Sequence, residues 1–187
     1  MPELHLISVK SLEALISACR KGDRTAQREL FEALSPRMYA VCLRYAGNAD
    51  DAKDILQDGF VTVFSKLDSY SGSGSFEGWA RKIFVNTALM HLRKNDALRM
   101  SDDIAEARNL SAREATPLEE IGYRQLIGLI SSLPSDARTV FNMYVVEGYS
   151  HKEIARQLGI PEATSRSKLQ RARVQLQEMI KKLRSND

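Results

Sequence analysis

The stretch that decides the fold runs from Ser150 to Arg173 and reads SHKEIARQLGIPEATSRSKLQRAR. Its start matches a capping box, in which Ser150 and Glu153 satisfy each other's backbone amides at the beginning of a short helix. Gly159 permits a left-handed exit from that helix, and Pro161 suits the first turn of the next one. Two helices joined by so tight a turn form a helix-turn-helix, a motif of DNA-binding proteins that also occurs in proteins that never meet DNA.

The second helix of this motif has two unlike sides when its residues are placed at about 100° per residue. The apolar side gathers Ser165, Leu169, Ala172, Leu176, Met179 and Leu183. The opposite side gathers Arg166, Ser167, Gln170, Arg171 and Arg173. Arg and Gln can hydrogen-bond to base edges in the major groove, and cations can contact phosphates. DNA binding is therefore the favoured interpretation, and an ordinary solvated surface helix is the alternative.

Charge is unevenly distributed along the 187 residues, although 27 Lys+Arg and 24 Asp+Glu leave a net charge of only +3. Residues 101–120 hold six acidic and two basic side chains, and the segments on both sides of them are net basic. Basic side chains cluster in the stretches Arg81–Arg99 and Arg166–Arg184. This arrangement indicates two contacts with a polyanion, and two solvated helix faces are the alternative.

Nearly all of the hydrophobic periodicity is helical, and no segment alternates convincingly with a period of two. We predict an all-α fold of two small helical domains, residues 1–100 and 118–187, joined by a flexible acidic linker at 101–117. The stretch Thr116–Glu119 reads as a second capping box and predicts a helix start near residue 118. The glycine and serine residues of Tyr70–Ser75 predict a flexible loop between two helices.

Several functional classes lack their sequence features. No apolar run is long enough to span a membrane, and the amino terminus does not resemble a signal peptide. Cys19 and Cys42 lie in amphipathic stretches, so we expect them to be buried and reduced. The three histidines are isolated, and there is no phosphate-binding loop or metal-ligand cluster. We therefore predict a cytoplasmic protein that is not an enzyme and that uses no cofactor or metal.

Two sets of residues resemble one known family. Leu133, Pro134, Arg138 and residues 147–150, 153–155, 158–161 and 164–173 resemble region 4 of the extracytoplasmic-function (ECF) sigma factors, group 4 of the sigma-70 family. Residues 51–60 resemble the polymerase-binding helix of region 2 in that family, and residues 76–86 resemble its promoter-melting helix. The resemblance covers about residues 10–184 in the family's order and spacing.

The resemblance implies a bacterial transcription initiation factor that binds core RNA polymerase and directs it to the −10 and −35 elements of promoter DNA. The implied −35 residues are Arg166, Ser167, Lys168, Gln170, Arg171 and Arg173, with Lys168 and Arg173 assigned to phosphates. The implied −10 binding and melting residues are Tyr70, Phe76, Trp79, Arg81, Lys82, Asn86, Arg93 and Lys94. The implied polymerase contacts are Asp51, Asp54, Gln57 and Asp58, which would meet the β′ coiled coil, with the β subunit as a second contact. An anti-sigma factor, often membrane-tethered in this family, is a further implied partner.

The chain departs from the family pattern at two positions. Met90 replaces a common aspartate four residues after Asn86, and Ser165 replaces a branched residue behind the recognition helix. We expect Phe60, Phe64 and Phe84 to be core residues, and Trp79 is as well explained by the core as by DNA contact. The remaining alternatives are a free-standing helix-turn-helix regulator and a helical adaptor that binds only proteins. The first leaves residues 51–58 and 76–86 unexplained, and the basic helix faces count against the second.

Overall fold

The structure, a computed structural model, describes the backbone of residues 9–99 and 118–185 and the side chains of residues 11–94 and 125–183. These described residues are mostly helical and contain no strand, so the all-α prediction is confirmed. Helix packing divides the chain into two compact units, Met1–Ala107 and Arg108–Asp187. The predicted linker at 101–117 and the capping box predicted from Thr116 lie outside the described residues.

Between residues 9 and 99, the described part of the first unit, there are four α-helices, of which the last three pack against one another. They are α1 (Val9–Arg20), α2 (Arg24–Ala46), α3 (Ala49–Ser65) and α4 (Phe76–Arg99). A short 3-10 turn, Leu67–Ser69, follows α3 and packs against α1.

Polar caps and a left-handed glycine set the limits of α2 and α3. The Asp23 carboxylate accepts hydrogen bonds from the amides of Thr25 (2.8 Å) and Ala26 (3.1 Å) at the start of α2. Gly47 ends α2 with a φ of 81°, and the Asn48 side chain caps α3. Such side-chain acceptors satisfy amides that have no partner within the helix, which explains why each helix starts where it does.

The core of the first unit depends on a close approach between α3 and α4. A Cβ atom at Gly59 would lie 2.2 Å from Cε1 of Phe84, so only glycine lets the Phe84 ring lie there. Phe84 is fully buried and Phe60 meets it edge-on, with ring centroids 5.1 Å apart. The core predictions for Phe60 and Phe84 are confirmed. Phe64 differs, because its ring is only half-buried.

The second unit contains the predicted helix-turn-helix. Its helices are α5 (Leu118–Ser131), α6 (Ser135–Phe141), α7 (His151–Leu158) and α8 (Glu162–Ser185). A π-helical turn, Asn142–Val146, continues α6. The buried side chains that join α5 and α6 to α8 are Ile130, Leu133, Ala137, Ala172 and Leu176. The apolar side predicted for α8 is therefore buried over much of its length, but Leu183 near its end is 45% exposed.

Cys19 and Cys42 are both buried free thiols, as predicted. Burial raises the pKa of Cys42 to about 12, so this side chain packs as a small apolar group and stays a thiol at neutral pH. In the part of the chain that the structure describes, no helix combines the length and the apolar character that crossing a membrane requires.

Candidate functional site

The two helices of the helix-turn-helix are joined by a hydrogen bond. Ser150 and Glu153 form the predicted capping box of α7, and Gly159 ends that helix with a φ of 67°. His151, the first residue of α7, places Nδ1 2.9 Å from Oγ of Ser165, a fully buried residue of α8. Ser165 therefore joins α7 and α8 through a hydrogen bond. A branched aliphatic residue at this position could make only apolar contacts.

His151 also belongs to a short stack of side chains. Its ring stacks on Tyr144, with centroids 4.5 Å apart and planes 24° apart, and the guanidinium of Arg173 lies 5.9 Å from the centre of the Tyr144 ring. Burial lowers the pKa of His151 below its usual 6.5 and the charge of Arg166 lowers it further, whereas Glu162 opposes the shift. His151 is therefore mainly neutral at pH 7.

Five of the six predicted −35 residues line the exposed face of α8. Arg166, Ser167, Gln170, Arg171 and Arg173 are exposed and lie away from the buried residues, with Arg173 at the edge of the buried side. The Arg166 guanidinium lies 3.1 Å from the Glu162 carboxylate one turn earlier, which orients it along the helix. We call these five residues the α8 outer face. It offers guanidinium, amide and hydroxyl groups together, the side-chain types that read base edges.

Lys168 does not belong to that face. Its ammonium group pairs with the carboxylate of Asp136 on α6, and its side chain is only 20% exposed. Burial alone would raise the pKa of Asp136, but hydrogen bonds from Lys168 and from the Ala137 amide lower it below its ordinary value. The ion pair joins residues 32 positions apart in the sequence and turns the long side chain of Lys168 toward α6. A contact of Lys168 with phosphate stays a prediction, and it would compete with this ion pair.

The loop between α3 and α4, residues 70–75, is held at both ends in spite of its glycines. The Tyr70 hydroxyl donates a hydrogen bond to the Gly74 carbonyl (2.9 Å), and the Gly78 amide donates one to Ser75 Oγ (3.0 Å). Residues 71–75 between and beside these bonds are exposed. The composition predicts a flexible loop, and these two hydrogen bonds hold its ends.

Three predicted −10 aromatic residues form one cluster beneath this loop. The ring centroids of Tyr70 and Phe76 are 5.1 Å apart, those of Tyr70 and Trp79 are 5.5 Å apart, and those of Phe76 and Trp79 are 5.3 Å apart. Phe76 is buried, whereas Tyr70 and Trp79 are partly exposed. The cluster thus offers an aromatic wall on which an unstacked base can lie.

The polar −10 residues occupy α4 beyond this cluster. Lys82, Asn86, Arg93 and Lys94 are exposed, and Arg81 is half-buried. Positions 82, 86, 90 and 94 are four residues apart and therefore lie along one face of α4. Lys82, Asn86 and Lys94 occupy three of these positions, and the fourth holds Met90, which is 68% exposed. The departure from the family pattern therefore puts an apolar group where the face is otherwise polar.

The four predicted polymerase contacts lie on α3 but divide into two kinds. Asp54, Gln57 and Asp58 are exposed. Asp51 is instead engaged within the first unit: its carboxylate accepts a hydrogen bond from Asn48 Nδ2 (2.7 Å) and lies 3.6 Å from His91 Nε2 on α4. Asp51 therefore stabilises the start of α3, where a negative charge also favours the helix dipole, and its contact with polymerase stays a prediction.

Comparison with known proteins identifies the family. The family description Sigma-70 region 2 matches residues 30–98, and Sigma-70, region 4 matches residues 123–176. The ECF RNA polymerase sigma factor SigE of Mycolicibacterium smegmatis is 31% identical over 169 residues. The chain belongs to the ECF sigma factors of the sigma-70 family. The match covers 86% of this sigma factor and 65% of the length of SigE.

Other similarities extend over most of the sigma factor. The ECF sigma-E factor of Escherichia coli K12 is 29% identical over 184 residues, which is 91% of this chain and 95% of that protein. The solved sigma factor RpoE of Bartonella quintana, in complex with the anti-sigma factor NepR, shares the fold with a TM-score of 0.56 and 22% identity, covering 82% of this chain and 96% of that one.

One apolar surface of this sigma factor was not predicted from the sequence. Phe31, Val61 and Phe64, together with Lys53, Leu56, Gln57 and Phe60, line an open groove of about 430 Å³ between α2 and α3. Val61 is 64% exposed and Phe31 is 41% exposed. The helical period could have indicated this surface. Val61 and Phe64 follow Gln57 by four and seven residues, which puts them on the polar side of α3 and not on its buried side. We call this surface the α2–α3 groove.

Proposed function

We propose that this sigma factor docks on core RNA polymerase through α3 and directs it to promoters whose −35 element contacts α8 and whose −10 element contacts the 70–75 loop and α4. Its role in transcription initiation follows from its family. A free-standing helix-turn-helix regulator is not favoured, because such a protein would have no use for region 2. The observation that carries the proposal is that one chain combines a basic recognition helix with an exposed loop over an aromatic cluster.

The −35 part of the proposal rests on the α8 outer face. Arg166, Ser167, Gln170 and Arg171 would read or border base edges, and Arg173 would contact a phosphate. The contact between Arg173 and the Tyr144 ring supports this assignment, because a held guanidinium loses less side-chain freedom when it binds. Lys168 is left out of the set because Asp136 already pairs with it.

The −10 part of the proposal rests on the energetics of strand opening. Unstacking costs a few kcal/mol per step, and a protein without ATP chemistry must offset that cost by binding the exposed strand. Tyr70 and Trp79 would flank an extruded base, and Asn86 would bond to a neighbouring one. Arg81, Lys82, Arg93 and Lys94 would contact phosphates along α4.

The polymerase contact of the proposal joins two neighbouring surfaces. Asp54, Gln57 and Asp58 would orient docking on the β′ coiled coil through charge, while the apolar side chains of the α2–α3 groove would supply buried area. Phe31 and Val61 support this assignment, since apolar side chains so exposed beside a charged rim are typical of a protein contact. The β subunit is the proposed second contact.

The remaining expectations follow from the same proposal. The protein would act in the cytoplasm, where core polymerase and promoters are, and by binding alone, without catalysis or cofactor. An anti-sigma factor, which could be membrane-tethered, would hold it inactive. The complex of the Bartonella quintana relative with NepR supports this last expectation.

Mapping of transcription start sites tests the proposal. Purified bacterial core polymerase would transcribe a fragmented genomic library with and without the purified chain. We expect a set of start sites that depends on the chain and shares two sequence elements upstream. Start sites that are unchanged by the chain, or that share no upstream element, would overturn the proposal.

A further inference from the structure

Arg20, the last residue of α1, holds the chain where the 70–75 loop begins. Its Nη2 atom donates hydrogen bonds to the carbonyl oxygens of Leu67 (3.1 Å) and Tyr70 (2.6 Å), and its Nε atom also faces the Leu67 carbonyl at 3.3 Å. Its Nε lies 3.7 Å from the carboxylate of Asp68. One guanidinium therefore bridges the turn after α3 and the first residue of the loop, 47 and 50 residues along the chain.

Tyr70, whose carbonyl oxygen Arg20 binds, makes several contacts with the rest of the loop and with the residues after it. Tyr70 donates its hydroxyl to the Gly74 carbonyl and packs its ring against Phe76 and Trp79. If the Tyr70 backbone moved, the aromatic cluster and the far end of the loop would move with it. Nothing comparable holds the exposed segment Ser71–Ser73, apart from a long contact of 3.4 Å between the Ser73 amide and Ser71 Oγ.

We propose that Arg20 is a positioning residue that preorganises the 70–75 loop to receive an unpaired base of the −10 element. This inference rests on the proposed function of the loop. A loop held in its binding shape loses less conformational freedom when the base enters, and the affinity for the single strand rises accordingly. Arg20 itself touches no DNA in this account.

Arginine suits this task better than lysine does. The planar guanidinium presents several donors in a fixed fork and reaches two carbonyl oxygens and a carboxylate at once. A lysine ammonium would keep the charge beside Asp68 but would lack that fixed geometry. The Arg20→Lys variant therefore distinguishes the effect of the guanidinium geometry from that of the positive charge.

The test uses holoenzyme assembled from core polymerase and the full chain. The probe is a pool of fluorescently labelled single DNA strands with a randomised central window, from which holoenzyme-bound strands are recovered and sequenced. The variants are Arg20→Ala, Arg20→Lys and the charge-matched control Arg28→Ala, whose exposed guanidinium pairs with Glu32 one turn along α2. Thermal unfolding and core binding are measured in parallel.

We expect the wild type and Arg28→Ala to select the same sequence. Arg20→Ala should bind that sequence about tenfold more weakly, a loss in the range of hydrogen bonds to a charged group, with the base preference flattened at one position only. Arg20→Lys should lie closer to Arg20→Ala than to the wild type, while both keep their affinity for core polymerase. A purely structural role would lower the melting temperature and weaken all positions equally.

The outcomes separate this inference from the proposed function. If the wild-type holoenzyme selects no sequence at all, the proposed function of the loop fails. If the wild type selects a sequence and folded Arg20→Ala or Arg20→Lys selects it with equal strength and equal preference, the loop functions without Arg20 and the inference is overturned.

Discussion

His151 Nδ1 and Ser165 Oγ lie 2.9 Å apart and join the two helices of the helix-turn-helix. Ser165 is fully buried, so water cannot take the place of His151 if this hydrogen bond is lost, and the Ser165 hydroxyl would remain without a partner. The stacked Tyr144 ring and the arginines Arg166 and Arg173 surround the same imidazole, and both charges disfavour its protonation.

Acid should destabilise the second unit through His151. Its pKa is lowered in the folded state, so between that value and the unfolded value of 6.5 the unfolded chain binds more protons. The stabilising contribution is therefore complete above the unfolded pKa and is lost as the pH falls through the folded pKa. Thermal unfolding measured from about pH 7.5 to about pH 5.5 should show a smaller fall in melting temperature for His151→Gln than for the wild type. Parallel pH profiles for the two proteins would contradict this reading.

Gly59→Ala should destabilise the first unit by about 1–3 kcal/mol, as overpacking of a core does. The added Cβ would lie 2.2 Å from the buried Phe84 ring, which has no room to withdraw. Urea unfolding of the full chain measures the change. Gly128→Ala is the matched control, because nothing lies within 4 Å of a Cβ there, and it should stabilise α5 by about 0.5–1 kcal/mol. Equal effects of the two substitutions would contradict the close approach of α3 and α4.

Arg171→Ala and Lys168→Ala should have different effects on promoter DNA. Arg171 is exposed on the α8 outer face, so its loss should reduce promoter-specific transcription and either relax base preference or lower the salt slope of binding by about 1. Lys168 pairs with Asp136, so Lys168→Ala should leave specificity and salt slope unchanged and lower stability instead. Salt-dependent binding of holoenzyme to a mapped promoter distinguishes them. A lowered slope for Lys168→Ala would return that residue to the DNA-contacting set.

Val61→Asp should weaken binding to core polymerase by about tenfold or more, because it would place a charge in the proposed apolar contact. Val61 is 64% exposed, so the substitution should change the folding stability by only about 0.5 kcal/mol. Ala14→Asp, at an exposed position of α1 in the same unit, is the control for added charge. Fluorescence titration of core polymerase measures both. Equal affinities of the two variants would exclude the α2–α3 groove from the interface.

The helices could be predicted because their limits depend on neighbouring residues. The capping box at Ser150 and the left-handed Gly159 each act within one turn, so the sequence alone predicts them. The buried side of α8 followed from its period in the same way, up to Leu183.

The contacts between distant residues could not be predicted. Lys168 lies between Ser167 and Leu169 in the sequence, which does not show whether its ammonium group faces solvent or another helix. The ion pair with Asp136 on α6 shows that it turns toward the protein. The bonds of Arg20 to the 70–75 loop and the exposure of Val61 likewise depend on how helices pack. Composition described the loop as flexible because glycine and serine reveal nothing about a guanidinium 50 residues away.

Site-specific crosslinking of the holoenzyme on one mapped promoter tests the central claim most directly. A photoreactive residue would replace either Ser71 in the 70–75 loop or Ser167 on the α8 outer face, both exposed. We expect the photoreactive residue at position 71 to crosslink to the non-template strand at the −10 element and the one at position 167 to crosslink to the −35 element of the same promoter. Crosslinks from both positions to one element, or from either position to no promoter DNA, would contradict it.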